Sequence, residues 1–267
     1  MSVLILALVA GAVVGLALGG LGGGGSVLAV PALIYLLGFT PVAATTASLI
    51  IVTLTSISSL AAHARDGNVR WRSGLLFAAA GIGPAMLGGL AAGRIPTTAL
   101  TIAFSVTAAL AAWRMLRPSR PVQGSPIQGS PAQGDAVHDS PAEDRPVRPP
   151  RAAGSGAGLG AVTGVLGVGG GFLAVPALVG VLGLRMKTAV GTSLLVIVIN
   201  SLAALATRTG TADGLHWAVI APFTAAAILG AWDGKRLAAK ISGNRLQQVF
   251  AYVLLAVAAF MLLDSLI

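Results

Sequence analysis

Side chains able to hold an anion recur at two matching places in this chain. Thr45-Thr46-Ala47-Ser48 stands in one stretch and Val190-Gly191-Thr192-Ser193 in another, with Asn200 and Ser201 about two turns further on. In a water-poor cavity, hydroxyls and an amide can replace part of the hydration shell of a small oxyanion. Thr46, Ser48, Thr192, Ser193 and Asn200 are the candidate donors. The competing use of Ser and Thr in an apolar helix is to bond back to their own backbone or across to a neighbouring helix.

Each stretch follows a glycine run, Gly22-Gly23-Gly24-Gly25 in the first and Gly167-Val168-Gly169-Gly170-Gly171 in the second. Glycine weakens a helix by about 1 kcal/mol per residue relative to Ala, so both runs predict a broken helix. Backbone freed at membrane depth must line protein or a watery cavity. The segment restarting after each break has N–H groups without helical partners and about half a positive charge at its end. Gly23, Gly24, Gly25 and Ser26, with Gly169, Gly170 and Gly171, therefore form a candidate backbone anion site. Glycines that simply let helices approach closely are the alternative.

Other chemistry is thinly represented. The chain has no cysteine, which removes disulfides and thiol ligands by count. His63 and His216 lie far apart near segment ends, with no Cys or carboxylate cluster to make a metal site. There is no nucleophile elbow, paired-carboxylate motif or phosphate loop, so no enzyme and no cofactor are expected. Asp66, Asp213 and Asp233 fall at or near segment ends rather than within apolar runs, where carboxylates usually mark cation relays. Arg94 and Arg208 also fall at loop ends, where they could gather anions but are expected to be solvated anchors.

The elements that must position these groups follow from composition. Of 267 residues, 55% are hydrophobic and 9% charged, against about 25% charged in a soluble domain. With a mean hydropathy of +0.88, the chain belongs in lipid as apolar helices. A net charge of +9 without a basic face or interleaved aromatics excludes nucleic acid as a partner. The opening segment lacks a basic region and runs directly into a second apolar stretch, so it is expected to be retained rather than cleaved.

Ten apolar segments fall into two sets, 2–19, 24–38, 42–62, 73–93 and 97–116, then 153–167, 170–184, 188–207, 215–239 and 246–267. Between them, 117–152 carries near-repeats such as Pro121-Val-Gln-Gly-Ser and Pro126-Ile-Gln-Gly-Ser and is expected to be a flexible linker. A slide of 145 residues lays Leu28-Ala-Val-Pro-Ala-Leu33 on Leu173-Ala-Val-Pro-Ala-Leu178 and matches 17 of the 40 positions from 22 to 61. Such internal repeats characterise transporters. The expected domains are thus a first repeat, 1–116, the linker, and a second repeat, 153–267.

Charge decides their relative orientation. If the stretch from 2 to 38 enters and returns, the second repeat is inverted and Lys and Arg divide about 15 to 2 between the two sides. A single broken crossing would divide them about 10 to 7. Cytoplasmic loops retain positive charge, so the expected fold is an all-α polytopic membrane protein of two inverted repeats of five segments. Either eight full spans with re-entrant pieces or ten short spans satisfy the pattern. Both termini are placed outside and the linker in the cytoplasm. In this arrangement the two restarted helices enter from opposite faces and would meet near the midplane.

The motif Gly167-Val-Gly-Gly-Gly-Phe-Leu-Ala-Val-Pro-Ala-Leu178 followed by Ala189-Val-Gly-Thr-Ser-Leu194 resembles the signature of the TauE/SafE family, the sulfite exporter or anion permease group. Gly22 to Leu33 with Thr45 to Leu49 is similar to the same motif, although Thr46-Ala47-Ser48 replaces Gly-Thr-Ser. The resemblance covers all but the linker. It implies a secondary carrier of the bacterial inner membrane, without an ATPase, for sulfur oxyanions or organosulfonates such as sulfite or sulfoacetate. A proton or sodium ion would couple its transport, a homodimer is the candidate assembly, and the two halves would rock about the glycine breaks. A passive channel is the alternative, with a membrane-embedded assembly factor behind it.

Overall fold

The computed structural model describes residues 2–22, 26–92, 94–116, 149–167, 171–208, 215–240 and 243–266. These residues form ten α-helices and contain no strand. The first repeat holds α1 (Ser2–Leu21), α2 (Ser26–Pro31), α3 (Pro41–Arg65), α4 (Trp71–Ala92) and α5 (Thr97–Leu116). The second holds α6 (Pro149–Leu166), α7 (Gly171–Leu182), α8 (Met186–Ala206), α9 (Trp217–Ala239) and α10 (Gly243–Leu266). Among the described residues, five helices are long and apolar enough to cross a bilayer: α1, α3, α4, α8 and α9. The chain is an all-α polytopic membrane protein.

Local sequence explains the helix limits. Thr40 caps α3 with extended backbone, its hydroxyl accepting from the Ala43 N–H at 3.4 Å, and Pro41 sits where its missing N–H costs nothing. Helix α6 begins at Pro149, inside the stretch assigned above to the linker. Pro149-Pro150 presets the dihedral angles of a first turn, so 149–152 belong to the helix, while 117–148 lie outside the described residues. Pro31 withholds an N–H within α2, and the chain continues as a π-helical turn, Ala32–Leu36.

The ends of these short helices repeat in detail. Phe39 N donates to Leu33 O and Gly38 N to Ile34 O, with Gly38 at φ 70°; Leu184 N donates to Leu178 O and Gly183 N to Val179 O, with Gly183 at φ 64°. Both are glycine-terminated helix ends of the αL type, in which the glycine N–H reaches the carbonyl four residues back, and they are separated by the same 145 residues as the sequence match.

The repeats exchange helices. Helix α1 packs most extensively on α9, and α6 on α4. Added β-carbons at Gly11, Gly15 and Gly19 would fall on the backbone of Phe223, Ala227 and Ala231, so α1 and α9 run parallel at a distance only glycine permits. Gly156, Gly160 and Gly164 stand in the same way against Phe77, Gly81 and Ala85, which makes α6 parallel to α4. Helices α5 and α10 pair, as do α3 and α8. Outward-facing Leu76, Leu87, Leu229 and Leu263 present the apolar surface that lipid covers, and all four tryptophans are exposed, as interfacial anchors are.

Candidate functional site

Helices α3 and α8 form a central seam and run antiparallel. Arg208, just past the end of α8, reaches Thr45 and Thr46 near the start of α3. At the opposite end, Gly191 near the start of α8 abuts His63 and the Asn68 carbonyl beyond α3. Between them, Leu49 of α3 shares an apolar cluster with Ala204 of α8. Helical spacing puts Ser56 and Ser59 on the stripe of α3 that contains Thr45, Leu49 and His63, and Ser201 on the stripe of α8 that contains Ala204 and Arg208. The seam is thus polar within an apolar molecule.

Arg208 is only 5% exposed. Its Nη1 donates to the Thr45 and Thr46 hydroxyls at 2.8 and 3.3 Å, and Nη2 to the Gly164 and Val165 carbonyls at 2.6 and 3.5 Å. Those carbonyls end α6, where acceptors lack helical partners and the helix dipole favours a cation. The expectation of a solvated loop-end anchor is therefore corrected for Arg208, while Arg94 is exposed. Burial pushes the guanidinium down to about 10, which leaves it charged at neutral pH. These four oxygens are neutral, and they orient the guanidinium across α3 and α6.

Several predicted donors are committed to the backbone. Thr45 and Thr46 each donate to the Val42 carbonyl, at 2.9 and 3.1 Å, so their hydroxyls face Arg208 as acceptors. Ser193 donates to the Val190 carbonyl at 2.7 Å. Thr192 accepts from the Arg70 N–H at 3.0 Å, tying α8 to the start of α4. By contrast, Ser48 Oγ, both side-chain polar atoms of Asn200, Ser56 Oγ, Ser59 Oγ and Ser201 Oγ are buried without a hydrogen-bond partner among the described residues. Buried polar groups normally have partners, and leaving one unmade costs about 1–3 kcal/mol. Asn200 fills space left by Gly81, where a β-carbon would lie 2.7 Å from its Nδ2 and 2.9 Å from the Gly156 carbonyl.

The candidate residues are strung along the seam rather than gathered at one point. Thr46 and Ser48 lie at the Arg208 end, Thr192 and Ser193 at the His63 end, and Asn200 midway along α8 between Thr192 and Arg208. Gly23, Gly24, Gly25, Gly169 and Gly170 lie outside the described residues; Ser26 is buried at the start of α2, and Gly171 begins α7. Gly22 and Gly167 mark the two breaks, at φ 65° and 66°. Gly22 faces Val190 and Ser193 of α8, and Gly167 faces Thr45 of α3, where Arg208 also binds. Arg208, just past α8, follows Ser193 by fifteen positions, about 22 Å at a helical rise of 1.5 Å per residue. Gly22 and Gly167 therefore sit toward opposite ends of the seam, while the short helices that follow the two breaks, α2 and α7, touch each other.

His63 is buried at the α8-start end of the seam, and other ionisable groups among the described residues fasten helix ends. Lys235 of α9 donates to Asp66 at 2.6 Å and to the Ala62 carbonyl, fastening α9 to the end of α3. This contact holds the Asp66 carboxyl below its ordinary value of 3.8. His216 lies edge-on to Phe39. Groups of three or more metal-ligating side chains are absent among the described residues.

Comparison with known proteins supplies the remaining constraint. The model of a family described as sulfite exporter TauE/SafE matches residues 7–261. A probable membrane transporter protein of Xylella fastidiosa strain Temecula1 is 34% identical over 266 residues, covering 98% of this chain and 96% of its own. Its counterpart in strain 9a5c is 32% identical over 267 residues, with the same coverage. No solved structure matches the chain.

Proposed function

Because the chain belongs to the TauE/SafE sulfite exporter family of membrane transporters, we propose that it is a secondary carrier of small anions, sulfur oxyanions or organosulfonates, working by alternating access. The observation that carries this reading is the antiparallel α3–α8 seam, with partnerless buried hydroxyls and an amide along it and a charged guanidinium at one end. Such groups can take over successive waters of a desolvating oxyanion, and the seam contains no fixed negative side chain among the described residues. Ser48, Ser56, Ser59, Asn200 and Ser201 are the solvating groups of the path, and the glycine breaks are its two mouths.

Inverted repeats support alternation, because the same seam can open to either side by exchanging the roles of equivalent elements. The antiparallel course of α3 and α8, equivalent by the 145-residue slide, is what inversion requires of membrane-crossing helices. In the corresponding topology both termini are outside and the linker is cytoplasmic, with most Lys and Arg on the linker side.

Purified protein in liposomes tests the function. Saturable uptake of sulfite or a sulfonate supports the carrier, conductance that does not saturate supports a channel, and no acceleration of any such anion removes the proposal. The chain has no cysteine, so one cysteine placed in the linker reports sidedness with an impermeant maleimide.

A further inference from the structure

Arg208 and His63 occupy the same place in the two repeats, since 63 plus the 145-residue slide is 208. Both are buried. Each stands at or just beyond the last turn of its seam helix and faces the early part of the other one, Arg208 at Thr45 and Thr46, His63 at Gly191. Each is also close to a glycine break: Arg208 binds the carbonyls just before Gly167, and Gly22 packs on Val190, the residue before the Gly191 that His63 meets. The seam is consequently closed at both ends by a nitrogen-rich side chain.

The two ends differ in what sets their charge. A guanidinium is charged throughout the physiological range, whereas an imidazole gains its second proton near neutrality. The Nδ1 of His63 lies 3.0 Å from the Ser59 carbonyl. A carbonyl only accepts, so Nδ1 holds the proton of the neutral ring and Nε2 is the nitrogen that gains or loses one. The charged groups at this end are Lys235 from α9 and Asp66 from the turn after α3, which pair with each other, Lys235 also donating to the Ala62 carbonyl one residue before His63. Helix α8 presents Gly191 there, with Lys187 one turn earlier exposed.

We infer that His63 is a proton-controlled anion-binding residue: its end of the seam receives the anion when Nε2 is protonated, while Arg208 receives it at the other end regardless of pH. This rests on reading the seam as an anion path. Bare Nε2 presents a lone pair that repels an oxyanion; the protonated nitrogen donates a charge-assisted hydrogen bond to it.

Exchange of a radiolabelled sulfonate, whose own charge is constant between pH 5 and 8, provides the test in liposomes holding the full chain. The wild type is expected to exchange faster as pH falls through this range. His63→Arg, a permanent cation, is expected to lose that pH dependence and stay fast, and His63→Gln to lose it and stay slow. A flat wild-type profile, or a pH response retained by both variants when each elutes as a monodisperse species, overturns the inference and leaves the carrier intact. Absence of wild-type flux for every anion overturns the carrier itself, and the inference with it.

Discussion

Replacing Gly167 by Ala separates two costs that usually arrive together. Gly167 and Gly183 have nearly the same backbone, φ 66° and 64°, so an Ala at either is strained by about 1–2 kcal/mol. Around Gly183 a new β-carbon meets nothing within 4 Å, whereas at Gly167 it falls on Thr45, 2.7 Å from its carbonyl oxygen and 2.8 Å from its Cα. Backbone atoms cannot swing aside, and overpacking of this kind costs about 1–3 kcal/mol. Gly167→Ala should therefore destabilise by that excess over Gly183→Ala, and it displaces the hydroxyl that Arg208 binds at 2.8 Å. Gly22→Ala should lie between them, because its contacts with Val190 Cγ1 at 2.9 Å, Ser193 Oγ at 3.0 Å and the Val190 Cα at 3.1 Å are less close than those at Gly167. Thermal unfolding in detergent, read by loss of the monodisperse peak, measures all three on a scale of about 2–4 °C per kcal/mol. Equal losses at 167 and 183 would refute the packing of the second break against α3.

Asn200→Leu should raise the melting temperature, because it removes a partnerless buried amide costing about 1–3 kcal/mol, and should depress anion flux; a stable variant with wild-type flux would exclude Asn200 from the path. Arg208→Lys keeps the charge but gives up the fork that spans α3 and α6, where a hydrogen bond to a charged group contributes about 1.5–3 kcal/mol. It should melt earlier and transport with a raised KM, and an unchanged KM would mean that the guanidinium only fastens helices. The Asp66 carboxyl is held below its ordinary value by Lys235, so their contact stabilises the fold above about pH 4 and is lost as pH falls through the lower folded value. Asp66→Asn should therefore melt slightly earlier than wild type at pH 7 and converge with it in acid; a gap persisting at pH 3 would contradict the sign.

The helices and the duplication were legible because apolar run length and an identical hexapeptide are properties of neighbours in the chain. Arg208 was misread because its environment is made by α6, more than 40 residues away in sequence, and nothing beside it signals burial. A signal existed: extending the 145-residue slide two positions past Ala61 brings Arg208 onto His63. The hydroxyls of Thr46 and Ser193 illustrate the opposite case, where a local helix carbonyl competes for the same proton that a ligand would use. Pro149-Pro150 looked like linker because proline both opens helices and populates disordered chain, and composition alone does not distinguish the two.

The glycine-mediated pairing of α1 with α9 and of α6 with α4 has a mechanical corollary. The units joined by the peptide chain are not the units joined by contact: each repeat has lent its first helix to the other, as in two clasped hands. Rocking one repeat against the other would have to shear the tightest interfaces in the molecule, so any rigid bodies that move must each contain helices from both. The two repeats are joined in sequence through residues 117–148. A chain severed there should reassemble from two separately expressed pieces, while neither piece alone can cover its own glycine face.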